Sequence, residues 1–160
     1  MDRTGSIEQV AEVLLARRWM LVTAESCTGG LVASRCTDMP GSSRWFFGGF
    51  VTYDNRAKMA WLHVREETLR QHGAVSAQTV REMAAGALAR SGAQVALAIS
   101  GIAGPTGGTP KKPVGTVWIA WAGPNEVTVE RFHFAGDRAA VRQAAAEAAL
   151  AGVVRLAQTH

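Results

Sequence analysis

The chain has 160 residues, 48% of them hydrophobic, with a formal net charge of +4. That length and balance fit one globular domain burying roughly two thirds of its unfolded surface, and exclude a disordered chain. Its apolar runs are too short for a membrane span of about 20 residues, and its scattered arginines form none of the concentrated patches that nucleic-acid binding needs.

In chain order, Ser6 and Gln9 read as a capping box ahead of a helix whose Ile7, Val10, Ala11 and Leu14 share one face. The apolar run Met20–Ala24 predicts a first strand, and Gly29-Gly30 leads into a helix from about Leu31 to Thr37, broken at Pro40-Gly41. Phe50–Tyr53 reads as a short strand, Asn55–Leu62 as a short helix and Glu66–Gln71 as a further helical turn. Ser76 caps a helix carrying Val80, Met83, Ala84, Ala87 and Leu88 at helical spacing. Gln94–Ser100 reads as a buried strand, and the glycines and prolines of Gly101–Pro113 as a loop. Thr116–Trp121 and Val127–Phe134 predict a hairpin around Gly123-Pro124-Asn125, and Asp137 caps an alanine-rich helix reaching about Leu156. Early alternation of helix and strand, then a hairpin, predicts an α/β fold. The expectation is a single-domain, three-layer-like α/β sandwich with a mixed sheet over residues 1–160. The pairing direction of the early strands is open.

Two stretches carry the chemistry. AESCTGG places Ser26 and Cys27 on a glycine-ended turn, and VTYDNRAK holds Tyr53 and Lys58. A hydroxyl, a lysine and a tyrosine suffice for nucleophilic hydrolysis without histidine or metal, because a crowded lysine loses its proton more readily. Ser26 reads equally as a helix N-cap and as a nucleophile beside an oxyanion-stabilising helix start. Cys27 is a rival, since a thiol at a helix start can have a lowered pKa. Asp54 and Lys58 stand four apart, which locally predicts a surface ion pair. Arg56 favours a neutral lysine and Asp54 opposes it. Ser42-Ser43 read as a plain turn. The glycines after Ser100 and Gly101 let backbone amides approach a ligand, but no GK[ST] ends the loop, which excludes a nucleoside triphosphatase of that type. Lys111 and Lys112 read as solvated. Arg138 opens the last helix, where a cation is disfavoured unless it holds an anion. Arg142 is a second, weaker candidate. Cys27 and Cys36 make no disulfide framework. His63, His72, His133 and His160 are far apart, so neither a metal nor another cofactor is expected. MDRTGSIEQV has no apolar signal core, which predicts a cytoplasmic location.

The strings AESCTGG, GGFVTYDNRAK, HGAVS, SGIAGPTGG, KPVGTVWIA and FAGDRAAVR resemble, in order, successive blocks of the CinA C-terminal domain family, from about Val22 to Arg142. That family includes stand-alone nicotinamide mononucleotide deamidases. The resemblance implies hydrolysis of the carboxamide of this nucleotide to the acid and ammonia. Ser26 would be the nucleophile, Lys58 the general base and Tyr53 its partner. Substrate would be held at Thr28, Gly29, Gly30, Ser43, Ser100, Gly101 and Arg138. Asp54 and Arg56 stand where relatives often carry serine and glutamate, and Thr106 where they often carry aspartate. The resemblance also implies a homodimer or higher oligomer, with a small-molecule mononucleotide as partner and neither nucleic acid nor membrane. A non-catalytic nucleotide-binding regulator and a competence-linked interaction module are the alternatives.

Overall fold

The computed structural model describes residues 6–159, so His160 lies outside them, as do the first five residues. Six helices and five strands follow in order: α1 (Ile7–Arg17), β1 (Leu21–Glu25), α2 (Leu31–Thr37), β2 (Phe46–Val51), α3 (Asn55–Leu62), α4 (Glu66–His72), α5 (Ala77–Ser91), β3 (Val95–Gly101), β4 (Thr116–Ala122), β5 (Val127–His133) and α6 (Arg138–Gln158). The strands form one mixed sheet in the order β2-β1-β3-β4-β5. β1 runs parallel to β2 and to β3, while β4 is antiparallel to β3 and to β5, which settles the open direction.

The alternation of side chains along each strand builds two cores. Leu21, Val95, Leu97, Ile99, Ile119 and Trp121 share one core with α1 and α6 residues such as Val10, Leu14, Val141 and Leu150. Val22, Ala24, Ala96, Ala98, Ala120 and Ala122 share the other with Leu62, Val80, Met83 and Ala84 of α3 and α5. Helices thus cover both faces of the sheet, in the expected three layers. The predicted caps form on three helices: Ser76, Asp137 and Ser6 accept hydrogen bonds from Thr79, Ala140 and Gln9 amides. The capping box at Ser6 is only half made, because the buried Gln9 Oε1 has no hydrogen-bond partner.

Strand β2 lies earlier than Phe50–Tyr53, and Tyr53 falls outside it. Two glycines mask it from a β-propensity reading. One of them is required there: a Cβ on Gly49 would stand 2.4 Å from Thr23 Oγ1 of the neighbouring strand.

A similar close approach ties α6 to the sheet. The buried Trp121 indole donates to Ala149 O at 2.8 Å, and a Cβ on Gly152 would lie 2.0–2.2 Å from the indole ring. The Gly152→Ala variant is expected to lose about 3 kcal/mol of stability, because neither the ring nor the helix has room to yield. Urea unfolding measures this; a loss under about 1 kcal/mol would mean that the contact relaxes freely.

Candidate active site

The carboxyl ends of the parallel strands β1 and β3 point to the same edge, where α/β sheets commonly bind ligands. Ser26 follows β1 directly, and its amide donates to Ile99 O of β3 at 3.0 Å. A cleft of about 250 Å³ opens there, lined by Ser26, Cys27, Tyr53, Lys58, Ser100 and Arg138 among others.

The turn that presents Ser26 is organised by Glu25, which local reasoning did not single out. Its carboxylate is fully buried and accepts from Thr28 Oγ1 at 2.6 Å and from the Val32 and Ala33 amides at 2.9 and 3.0 Å. Glu25 therefore caps α2 from beneath, where its negative charge also suits the helix dipole. The N-cap position itself is Gly30, with no side-chain cap, so the N-cap reading of Ser26 is overturned. From the other side Arg142 donates to Cys27 O at 3.1 Å and to Thr28 O at 2.9 Å. Arg142 thus braces the turn. Glu25 through the helix amides and Arg142 through the turn carbonyls hold the turn from two sides. Gly29 at φ 60° and Gly30 at φ 102° supply the left-handed backbone that this path needs.

Changing Glu25 to Gln should cost about 2 kcal/mol, since one amide donor would then face an NH₂ group instead of an oxygen. Thermal denaturation reads this directly. Unchanged stability would remove Glu25 as the organiser of the turn.

Lys58 comes from α3 and is 1% exposed. Its Nζ donates to Ser26 Oγ at 3.1 Å and to the Tyr53 carbonyl at 2.9 Å. The predicted surface pair with Asp54 does not form. Asp54 instead caps α3 through the Arg56 amide at 2.8 Å and pairs with the Arg56 guanidinium at 2.9 Å, and these hydrogen bonds hold its carboxyl at about 2. Lys58 is free to turn inward. Burial pushes its ammonium down to about 8 from an ordinary 10.5, with Asp54 and then Cys27 opposing. A lysine at about 8 is roughly one quarter neutral at pH 7.5, against about one part in a thousand at its ordinary value.

Cys27 behaves oppositely to its sequence reading. Burial pushes its thiol up to about 11, despite the positive charges of Arg142 and Lys58, so it stays protonated near neutrality. Proximity to a helix start is outweighed by desolvation here.

The remaining candidates divide. Ser100, buried at the end of β3, and Gly101 line the cleft. A Cβ on Gly101 would meet Val117 Cγ2 at 2.6 Å, so glycine is needed for the strand to pass. Arg138 lines the cleft and donates to Gly104 O at 2.8 Å, which ties the glycine loop to α6. Tyr53 lines the mouth, but its ring is largely free: the residue is 64% exposed, and its bond to Lys58 comes from the backbone carbonyl. Two of the expected substrate contacts do not line the cleft. The Thr28 hydroxyl is fully buried and spent on Glu25, leaving only backbone to face a ligand. Ser43 lies in a short 3₁₀ turn before β2, and the parallel register of Leu21 with Phe46 puts it at the opposite end of the sheet from Ser26. Asn55, Val75 and Ala103 also line the cleft without a local signal that singles them out. Among the described residues no group of three or more His, Cys, Asp or Glu could hold a metal ion, and no helix is long and apolar enough to cross a membrane.

Known proteins resemble this chain over most of its length. Nicotinamide-nucleotide amidohydrolase PncC of Escherichia coli K12 is 57% identical over 144 residues, covering 89% of this chain and 87% of its own. The protein of that name from Enterobacter agglomerans is 52% identical, covering 92% of this chain and 90% of its own. A putative competence-damage inducible protein of Symbiobacterium thermophilum is 56% identical, but this chain spans only 38% of its length. The crystal structure of a CinA superfamily protein from Klebsiella pneumoniae superposes with a TM-score of 0.93 at 41% identity, covering 99% of this chain and all of the other. Residues 4–157 match the model of the CinA C-terminal domain, and the chain belongs to that family.

Proposed function

We propose that this protein is a nicotinamide-nucleotide amidohydrolase that converts nicotinamide mononucleotide to nicotinic acid mononucleotide and ammonia through Ser26 and Lys58. One observation carries the mechanism: a buried lysine with a depressed pKa stands 3.1 Å from the hydroxyl of a serine on a braced turn. The substrate class rests on the amidohydrolase relatives, which match over nearly their whole length.

In this reading, neutral Lys58 takes the proton of Ser26 as its Oγ attacks the carboxamide carbon. The carbonyl oxygen becomes an oxyanion beside the Cys27 and Thr28 amides of the turn. As the C–N bond breaks, Lys58 returns the proton to the leaving nitrogen, which departs as ammonia. A water then attacks the Ser26 ester and gives a proton to Lys58, which passes it to Ser26 Oγ as the C–O bond breaks, releasing the acid and restoring the neutral lysine. The Tyr53 carbonyl orients the lysine in every step. Arg138 and the Gly101–Gly104 segment would hold the nucleotide's phosphate. A homodimer or larger assembly belongs to the same proposal, with the exposed Phe47 and Val51 of edge strand β2 as its apolar contact. Sedimentation of the purified protein reads that directly.

Ammonia release from nicotinamide mononucleotide, measured with a chelator present and with nicotinamide and nicotinamide riboside alongside, tests the function. Release from the mononucleotide and from neither control supports the reading, including its need for phosphate. Tight binding without release would make the protein a nucleotide sensor instead.

A further inference from the structure

Val75, which lines the catalytic cleft, also lines a second cavity of about 390 Å³. Lys111, Lys112, Arg131 and Trp118 contribute to its wall, together with the first turn of α5, and no carboxylate stands among its described lining residues. The sequence separates these cations, and the fold gathers them. Arg131 lies directly opposite Trp118 in the β4–β5 ladder, so both project from the same face of the sheet. Lys112 Nζ donates to His72 O at 2.7 Å, and Arg131 Nη2 donates to Lys111 O at 2.9 Å. Backbone carbonyls, which carry no net charge, thus hold two of the three cations in place. Burial, and after it the charge of Arg131, push the Lys112 ammonium below its ordinary value, so the cluster is not neutralised from within. The Lys112 contact also corrects its sequence reading as a merely solvated lysine.

An anion would relieve that repulsion, and the half-buried indole of Trp118 offers apolar, aromatic surface next to it. The volume lies at the size of a small-molecule site and is too small for a folded partner. The Ser76 hydroxyl takes the Thr79 amide, and Ala77 and Gln78 of the first turn of α5, a 15-residue helix, also line the cavity at the positive end of that helix.

We propose that this cavity is a second nucleotide site, separate from the catalytic cleft, in which Lys111, Lys112 and Arg131 hold a phosphate and Trp118 packs against the base. The proposal does not depend on the amidohydrolase reading, because its readout is binding and not ammonia release.

Calorimetric titration with AMP tests it, using wild type, the charge-removing double variant Lys111→Gln/Arg131→Gln, Lys111→Gln alone, and Arg138→Ala. Wild type should bind AMP, more weakly as salt is raised. The double variant should lose about tenfold or more in affinity, and exposed Lys111→Gln alone about threefold with no change in Tm. The Arg138→Ala protein, altered outside this cavity, should keep the AMP affinity that the double variant loses. Three results would each overturn the proposal: no binding by wild type at millimolar AMP, undiminished affinity in the double variant, or a loss in Arg138→Ala as large as in the double variant. The last would put AMP in the catalytic cleft.

Discussion

Replacing Ser26 with alanine is expected to lower turnover of nicotinamide mononucleotide by about 10⁴-fold or more, because removing a nucleophile eliminates the covalent route and leaves only binding and oxyanion stabilisation. The fold should survive. Ser26 is 7% exposed, and its side chain makes one hydrogen bond, to Lys58 Nζ, while the turn is held by Glu25 and Arg142. Loss of that bond should cost about 1 kcal/mol. Substrate affinity should change little, since the phosphate contacts assigned to Arg138 and the glycine loop are untouched. The adjacent variant Cys27→Ala should keep activity within a few-fold, because a thiol pushed up to about 11 is protonated at neutral pH and is a poor nucleophile. The pair separates the two neighbours cleanly: activity that survives Ser26→Ala and disappears in Cys27→Ala would reverse the assignment.

The second large effect concerns Lys58. The Lys58→Met variant keeps the apolar stem and removes the amine, and should lose about 10³-fold or more in kcat. In wild type, kcat/KM should rise with pH and level off above about 8, where the lysine becomes neutral. Stability should rise with pH too, but over the higher range between the folded and unfolded values of the lysine. The folded lysine gives up its proton near 8 and the unfolded one near 10.5. Below about 8 both states are charged, and the full cost of burying the ammonium is present. Between the two values the unfolded state binds more protons, so this group makes the protein more stable as pH rises, by about 2 kcal/mol after allowance for the open cleft. Cys27 and Cys36, with thiols raised by burial to about 11 and 12, act in the opposite sense above their ordinary 9.0. Both cysteines remain in the variant, so they cancel when the two proteins are compared. Lys58→Met should therefore be the more stable protein at pH 7, with an advantage that shrinks between pH 8 and 10.5. Denaturant titrations across that range measure it; an advantage independent of pH would show that Lys58 is not buried as a strained cation.

These two residues also show how far the sequence could be read. Helix α3 was legible to the residue, because Asp54 caps it and its length follows from the pattern. Its most important side chain was not. The spacing of Asp54 and Lys58 argues for a surface pair, and only the capture of Asp54 by Arg56 and the Arg56 amide leaves the lysine to turn inward. The caps at Ser76 and Asp137 and the β4–β5 hairpin were equally plain, since caps and tight turns are local chemistry. Strand β2 was displaced because Gly48 and Gly49 lower β-propensity, whereas the sheet needs a glycine beside Thr23. Glu25 carries no local signal at all: an acidic residue ending a strand reads as exposed, and its burial follows only from the folding of the α2 amides onto it. Six blocks in family order identified the family. That Lys58 meets the Tyr53 carbonyl, and Arg142 the carbonyls of the Ser26 turn, required the structure.

The most direct test is to mix wild-type protein with nicotinamide mononucleotide, quench in acid within the first turnover, and map the covalent adduct by peptide fragmentation. The expected product is a nicotinate mononucleotide ester on Ser26, formed with one equivalent of ammonia and absent from Ser26→Ala. An adduct on Cys27, or full ammonia release by Ser26→Ala without any adduct, would contradict it.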